Sequence, residues 1–136
     1  MGAVMIIDDD EDDQFLLQEA FKNLGYQNEL IFFSNGQKAF DFLCQTEMLP
    51  FLILSDMNMP QINGFELKEK IRQNSSVKVR CIPLLFFSTA VSGPLLSDAY
   101  HDCAQGVFIK GKSLCDMETT ISVIMEYWGR CIHAHD

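Results

Sequence analysis

Short apolar runs alternate with amphipathic stretches along this chain, and the alternation repeats five times. Residues 3–7, 29–33, 51–54, 82–87 and 107–109 have strand length and are almost unbroken in apolar character. Between them, apolar residues recur at helical intervals. Phe15, Leu16, Ala20 and Leu24 mark a helix over about 12–24, Ala39, Phe40, Leu43 and Cys44 one over 37–44, and Leu67 and Ile71 one over 65–73. A fourth helix opens near Pro94, whose ring suits a first turn, and a last one covers about 115–131. Gly25 stops the first helix, and Ser34-Asn35-Gly36 is a turn or cap. Strands apolar on both faces and interleaved with helices predict an α/β fold, a parallel five-stranded sheet covered on both sides.

Ligands of such open sheets collect beyond the carboxyl ends of the strands, so the residues that follow each strand carry the candidate chemistry. Strand one ends in Asp8-Asp9, strand three in Asp56, strand four in Ser88-Thr89 and strand five in Lys110. Strand two ends only in turn residues. All five ends point the same way, so carboxylates, a hydroxyl and an ammonium converge on one rim. Asp8 and Asp9 follow directly on a buried strand, where like charges repel unless a cation joins them. The remaining acids, Asp10–Asp13, read as a solvated face, with Asp12 or Asp13 capping the first helix and meeting its dipole.

Composition narrows the field. The chain has 136 residues, 48% of them hydrophobic, and a net charge of −9, the profile of one globular domain with one core. The run from Asp8 to Asp13 holds six of the 19 acids and leaves 13 against 10 basic residues, so the acidity is largely local. No Lys/Arg face exists to release counterions from a phosphate backbone, which excludes nucleic acid. No apolar stretch approaches the length of a membrane span, and the first residues have no basic leader; a soluble cytoplasmic protein is expected. Five widely spaced cysteines without a C-x-x-C pair read as reduced thiols in or near the core. Cys131, His133 and His135 lack a fourth ligand for a soft metal and read as a solvated tail.

The joint pattern is more specific than any member of it. Ile6-Ile7-Asp8-Asp9, then Leu54-Ser55-Asp56-Met57-Asn58-Met59-Pro60 with Gly64 four residues on, Pro83 five residues before Ser88 with Ala90 close behind, and Phe108-Ile109-Lys110 together resemble the response-regulator receiver domain, the phosphoacceptor module of two-component signalling. The resemblance covers essentially the whole chain. It implies a single receiver domain over 1–136, with a core at about 3–131, a short tail at 132–136, and the doubly wound, flavodoxin-like strand order 2-1-3-4-5. The compact form is similar to stand-alone receivers, phytochrome-linked ones included.

The resemblance also assigns roles. Asp56 is the phosphorylation site. Asp9, Asp56 and the backbone carbonyl of Asn58 hold Mg²⁺, with Asp8 acting through water or behind the first ligands. Lys110 pairs with Asp56 and then with the phosphoryl group, and a hydroxyl of Ser88 or Thr89 binds another phosphoryl oxygen. Spacing from Pro83 and Lys110 favours Ser88, whereas the Thr89-Ala90 pair looks like the usual motif. The partners implied are a sensor histidine kinase or histidine phosphotransfer protein and a downstream protein that reads the face of the fourth helix, fifth strand and fifth helix; a homodimer stays open. The chain is then a signalling phosphoacceptor, not an enzyme acting on external substrates. Two departures stand out: Gly111 follows Lys110 where the family usually has proline, and Val107 occupies a position often aromatic. They favour one alternative, a receiver-shaped interaction module that is never phosphorylated. A third reading, an aspartyl-phosphate hydrolase, would want a second acid at position 58, where Asn58 stands.

Overall fold

Five strands form one parallel sheet in the order β2-β1-β3-β4-β5, the flavodoxin-like order expected. The strands are β1 (Val4–Ile7), β2 (Leu30–Phe33), β3 (Leu52–Asp56), β4 (Leu84–Ser88) and β5 (Val107–Ile109). The helices are α1 (Glu11–Asn23), α2 (Gly36–Gln45), α3 (Gly64–Asn74), a single turn α4 (Val77–Arg80) and α5 (Leu114–Arg130). The computed structural model describes residues 2–59, 61–74, 76–88, 105–111 and 113–131. The helix expected near Pro94, Thr89 and the tail at 132–136 lie outside the described residues.

Alternation along the strands feeds two cores, because successive side chains leave opposite faces of a sheet. Met5, Ile7, Ile53 and Phe86 pack with Ala39, Phe40, Leu43, Leu67 and Ile71 of α2 and α3. Val4, Ile6, Leu54 and Phe87 pack on the other face with Leu17, Phe21, Ile121 and Met125 of α1 and α5. The described edge strands are less enclosed: all four residues of β2 are half-buried, and Ile109 of β5 is exposed.

Helix boundaries follow local capping. Asp10, rather than Asp12 or Asp13, caps α1: its carboxylate accepts from the backbone N–H groups of Asp12 and Asp13, which satisfies donors the helix itself leaves unpaired. At the other end Gly25 takes φ +81°, the left-handed conformation that glycine adopts without a Cβ penalty. Asn63 and Glu66 exchange hydrogen bonds at the start of α3, a reciprocal capping box. The turn α4 carries no apolar periodicity; Ser76 organises it by accepting from Val79 N–H. β4 starts after Pro83, which has no N–H for the ladder but lends its carbonyl to Ile53. The cysteine expectation fails in part: Cys44, Cys81 and Cys115 are exposed, not core residues, and are free thiols with Cys131.

Gly64 joins the fold to the rim. A Cβ there would lie 2.7 Å from the Phe86 ring and 2.9 Å from the carbonyl oxygen of Asp56, while Gly64 N–H donates to the Met57 carbonyl at 3.1 Å. The start of α3 is therefore seated directly on the end of β3. Gly64→Ala should cost about 1–3 kcal/mol in chemical denaturation, as overpacking does where backbone cannot yield; unchanged stability would show that α3 is free to shift.

Candidate functional site

Register brings distant residues to one face of the rim. Ile6 pairs with Leu54 and Ile7 with Ser55, so the next step along both strands sets Asp8 beside Asp56. Asp56 pairs in turn with Phe87, and Phe87 with Phe108. Asp8 and Asp56 follow Ile6 and Leu54 by two residues, and Lys110 follows Phe108 by two, so all three belong to the face that α1 and α5 cover.

The Lys110 ammonium lies 2.8 Å from Asp8 Oδ2, 2.9 Å from Asp13 Oδ2 and 3.1 Å from Asp56 Oδ2. Lys110 is 5% exposed and Asp8 2%. Asp8 Oδ1 also accepts from Asp10 N–H at 2.9 Å, and Gln14 donates its side-chain amide to the Asp8 carbonyl, which ties the start of α1 to the end of β1. Asp56 Oδ1 accepts from Asn58 N–H at 3.1 Å. Oxygens of Asp8, Asp9 and Asp56 fall within 4.8 Å of one another. Above them opens a basin lined by Asp9, Asp10, Glu11, Asp12, Asp13, Asp56 and Lys110.

Ser88 closes β4, is fully buried, and its carbonyl accepts from Lys110 N–H at 2.6 Å. Val107 packs half-buried against the core on the α2 and α3 side. Gly111 has a steric reason to lack a side chain: a Cβ would lie 2.4 Å from the Cβ of Asp116 in the first turn of α5. Sequence reasoning missed Asp13, which it left among solvated acids. The available signal was position: α1 begins just after Asp10 and covers the Asp8 face, so its first turn overhangs the strand ends.

Burial pushes the Asp8 carboxyl up to about 6, against the opposing pull of its hydrogen bonds to Lys110 and Asp10. For Lys110, burial favours the neutral amine, but hydrogen bonds from the ammonium to Asp8 and Asp13 and the charges of Asp8 and Asp56 outweigh it and hold the group above the usual lysine range. Clustered anionic oxygens around one ammonium thus carry an electrostatic cost that a second cation would relieve. The donors are all hard oxygens and the basin leaves room for water, a set that fits a divalent cation such as Mg²⁺ or Mn²⁺.

Comparison with known proteins agrees with this geometry. Residues 4–122 match the response regulator receiver domain, and the chain belongs to that family. It is 29% identical to the probable methanogenesis regulatory protein FilR2 of Methanothrix harundinacea, over 92% of this chain and 82% of that protein. It is 28% identical to the response regulator Rcp1 of Synechocystis, over 93% of this chain and 88% of Rcp1. The Mn²⁺-bound form of Rcp1 superposes with a TM-score of 0.80 at 26% identity, covering 96% of both chains. The phosphorylated cyanobacterial phytochrome response regulator RcpA superposes with a TM-score of 0.86, covering 97% of both chains, and at 23% identity shares the fold. The chain is a receiver-domain protein of two-component signalling. Among the described residues, no helix is long and apolar enough to cross a membrane.

The raised Asp8 carboxyl sets a pH dependence. A folded pKa of about 6 against an ordinary 3.8 means that the folded chain holds this proton more tightly, so its contribution to stability is complete below about 4 and is lost as pH rises through about 6. Without divalent cations, thermal melts should show Asp8→Asn gaining on the native chain across that interval, since the amide mimics the neutral carboxyl beside Lys110, Asp13 and Asp56. Added Mg²⁺ should raise the native melting temperature at neutral pH and raise that of Asp8→Asn less. A gap between the two proteins that does not change with pH would contradict the assignment.

Proposed function

We propose that this chain is the phosphoacceptor switch of a two-component or phosphorelay system, taking its phosphoryl group on Asp56 from a histidine kinase or histidine phosphotransfer protein. One observation carries the reading: Asp56 shares Lys110 with Asp8 on one side while its oxygens cluster with those of Asp8 and Asp9 on the other.

In the transfer, the P–N bond of a phosphohistidine breaks as a P–O bond to an Asp56 carboxylate oxygen forms; the imidazole nitrogen keeps the bonding pair and takes a proton. The transition state is loose, with charge spread over the phosphoryl oxygens, so the work of the protein is alignment and neutralisation. Asn58 N–H and Lys110 hold the carboxylate in place. Lys110 then turns its ammonium to a phosphoryl oxygen, and the Ser88 hydroxyl donates to another; Thr89 is the alternative donor. Asp9, Asp56 and the Asn58 carbonyl would hold Mg²⁺, with Asp8 behind them, and the ion when bound supplies further charge neutralisation at the phosphoryl oxygens. The cycle closes when water attacks phosphorus, the bonding pair returns to the Asp56 carboxylate, and inorganic phosphate leaves with the added proton.

The phosphoryl group puts a charge close to −2 where the Asp56 carboxylate carried −1, and sets it in the rim beside Lys110. Drawing Ser88 and Lys110 toward it strains both strand ends and transmits to the face of β5 and α5, where a protein partner would read it. The cytoplasm is the compartment this role implies.

Intact-mass measurement after exposure to acetyl phosphate and Mg²⁺ tests the reading. The native chain should gain one phosphoryl group and Asp56→Asn none, while Lys110→Ala should still be modified but lose the response of its target face, followed by backbone NMR shifts on β5 and α5. An unmodified native chain at high donor concentration would instead make it an interaction module, the role that Val107 and Gly111 favour.

A further inference from the structure

An ammonium has three N–H donors, and in Lys110 each has its own carboxylate: Asp8 from β1, Asp13 from α1 and Asp56 from β3. None is left over for a phosphoryl oxygen. The three pairs are unequal. Asp56, at 3.1 Å, is the farthest, and Asp13 has the most exposed side chain, 19% against 3% for Asp8 and 10% for Asp56. We propose that Asp13 is a positioning residue for Lys110, drawing the ammonium toward α1 in the resting site and releasing it when Asp56 is phosphorylated, so that the strength of this one pair sets how long the phosphoryl group is held. The proposal rests on the phosphoacceptor reading above and adds to it a residue that acts on the phosphoryl group only through Lys110.

The physical basis is competition for one cation. A phosphoryl group on Asp56 enters the basin that Asp13 and Lys110 both line, carrying nearly twice the charge of a carboxylate. Asp13 and the phosphoryl group repel, and both call on the same ammonium. The pair nearest water gives way at least cost, because water replaces its hydrogen bond. Asp13 thus stabilises the resting arrangement alone, and it sits in the first turn of α1, whose donors to Asp10 and whose Gln14 contact with Asp8 brace it against drifting after the lysine.

The experiment compares Asp13→Asn, Asp13→Glu and Asp12→Asn with the native chain. Asp12 carries the same charge on the same turn and lines the same basin, yet makes no ion pair with Lys110, so it reports simple relief of repulsion. After loading with acetyl phosphate and Mg²⁺, loss of the phosphoryl group is followed by intact mass. Asp13→Asn should slow that loss by about two- to tenfold, the worth of one hydrogen bond, with Asp13→Glu returned toward the native rate and Asp12→Asn close to it. An Asp13→Asn rate equal to the native one, or matched by Asp12→Asn, overturns the proposal. A Mg²⁺ titration by calorimetry, without phosphodonor, decides the same question independently. Freed from Asp13, Lys110 holds Asp8 and Asp56 more firmly against the metal, so Asp13→Asn should weaken Mg²⁺ binding more than Asp12→Asn does; equal weakening counts against it. A native chain that takes no phosphoryl group would sink the phosphoacceptor reading and leave this titration to judge Asp13.

Discussion

One buried ammonium organises the functional end of this molecule. Lys110 is the meeting point of β1, β3, β5 and α1, and without it Asp8 and Asp56, both buried, would face each other as like charges. Breaking a buried charge pair by removing one partner is far more disruptive than the net worth of the pair, since the other charge stays behind unpaired. The rim is therefore poised rather than relaxed: more negative than one lysine satisfies, and open on the side where a further cation or a transferred group would enter.

That poise depends on the sheet. Parallel strands in the order 2-1-3-4-5 bring the ends of β1 and β3 side by side, and strand alternation sends Asp8, Asp56 and Lys110 to the same face. Gly64 lets α3 sit on the end of β3, and Gly111 lets the first turn of α5 press on the residue after Lys110. Both glycines serve close approach, and both bear on the backbone that holds a charged group. In the Gly111 case the family's usual proline is replaced by a residue whose missing side chain is what the packing of Asp116 requires.

Much of this was legible before any coordinates. The strand runs are apolar on both faces because helices cover both, and the polar residues ending them have few reasons to be there other than chemistry, so Asp8, Asp9, Asp56 and Lys110 stood out. Boundaries moved by a residue or two, where capping decides: Asp10 caps α1 because its short carboxylate reaches two backbone donors, a geometry that a run of six acids does not distinguish in advance. The turn α4 has no periodic pattern to betray it. Asp13 was hidden for a different reason. A run of like charges reads as a solvated face, and only the overhang of the first turn of α1 above the strand ends turns one member of that run toward Lys110; the relation is tertiary and spans 97 residues of chain. For the active hydroxyl, spacing favours Ser88 and the Thr89-Ala90 pair favours Thr89; Ser88 ends β4 in the ladder against β5, and Thr89 lies outside the described residues.

The central claim is that Lys110 is held as a charged, three-way hydrogen-bond donor in the resting protein. Side-chain ¹⁵N NMR of lysine-labelled protein tests it directly, through the exchange of the ammonium protons with water. The account predicts a Lys110 NH₃⁺ signal that stays visible at neutral pH and couples across hydrogen bonds to the carboxylates of Asp8, Asp13 and Asp56. A Lys110 signal that exchanges as fast as those of surface lysines would contradict it.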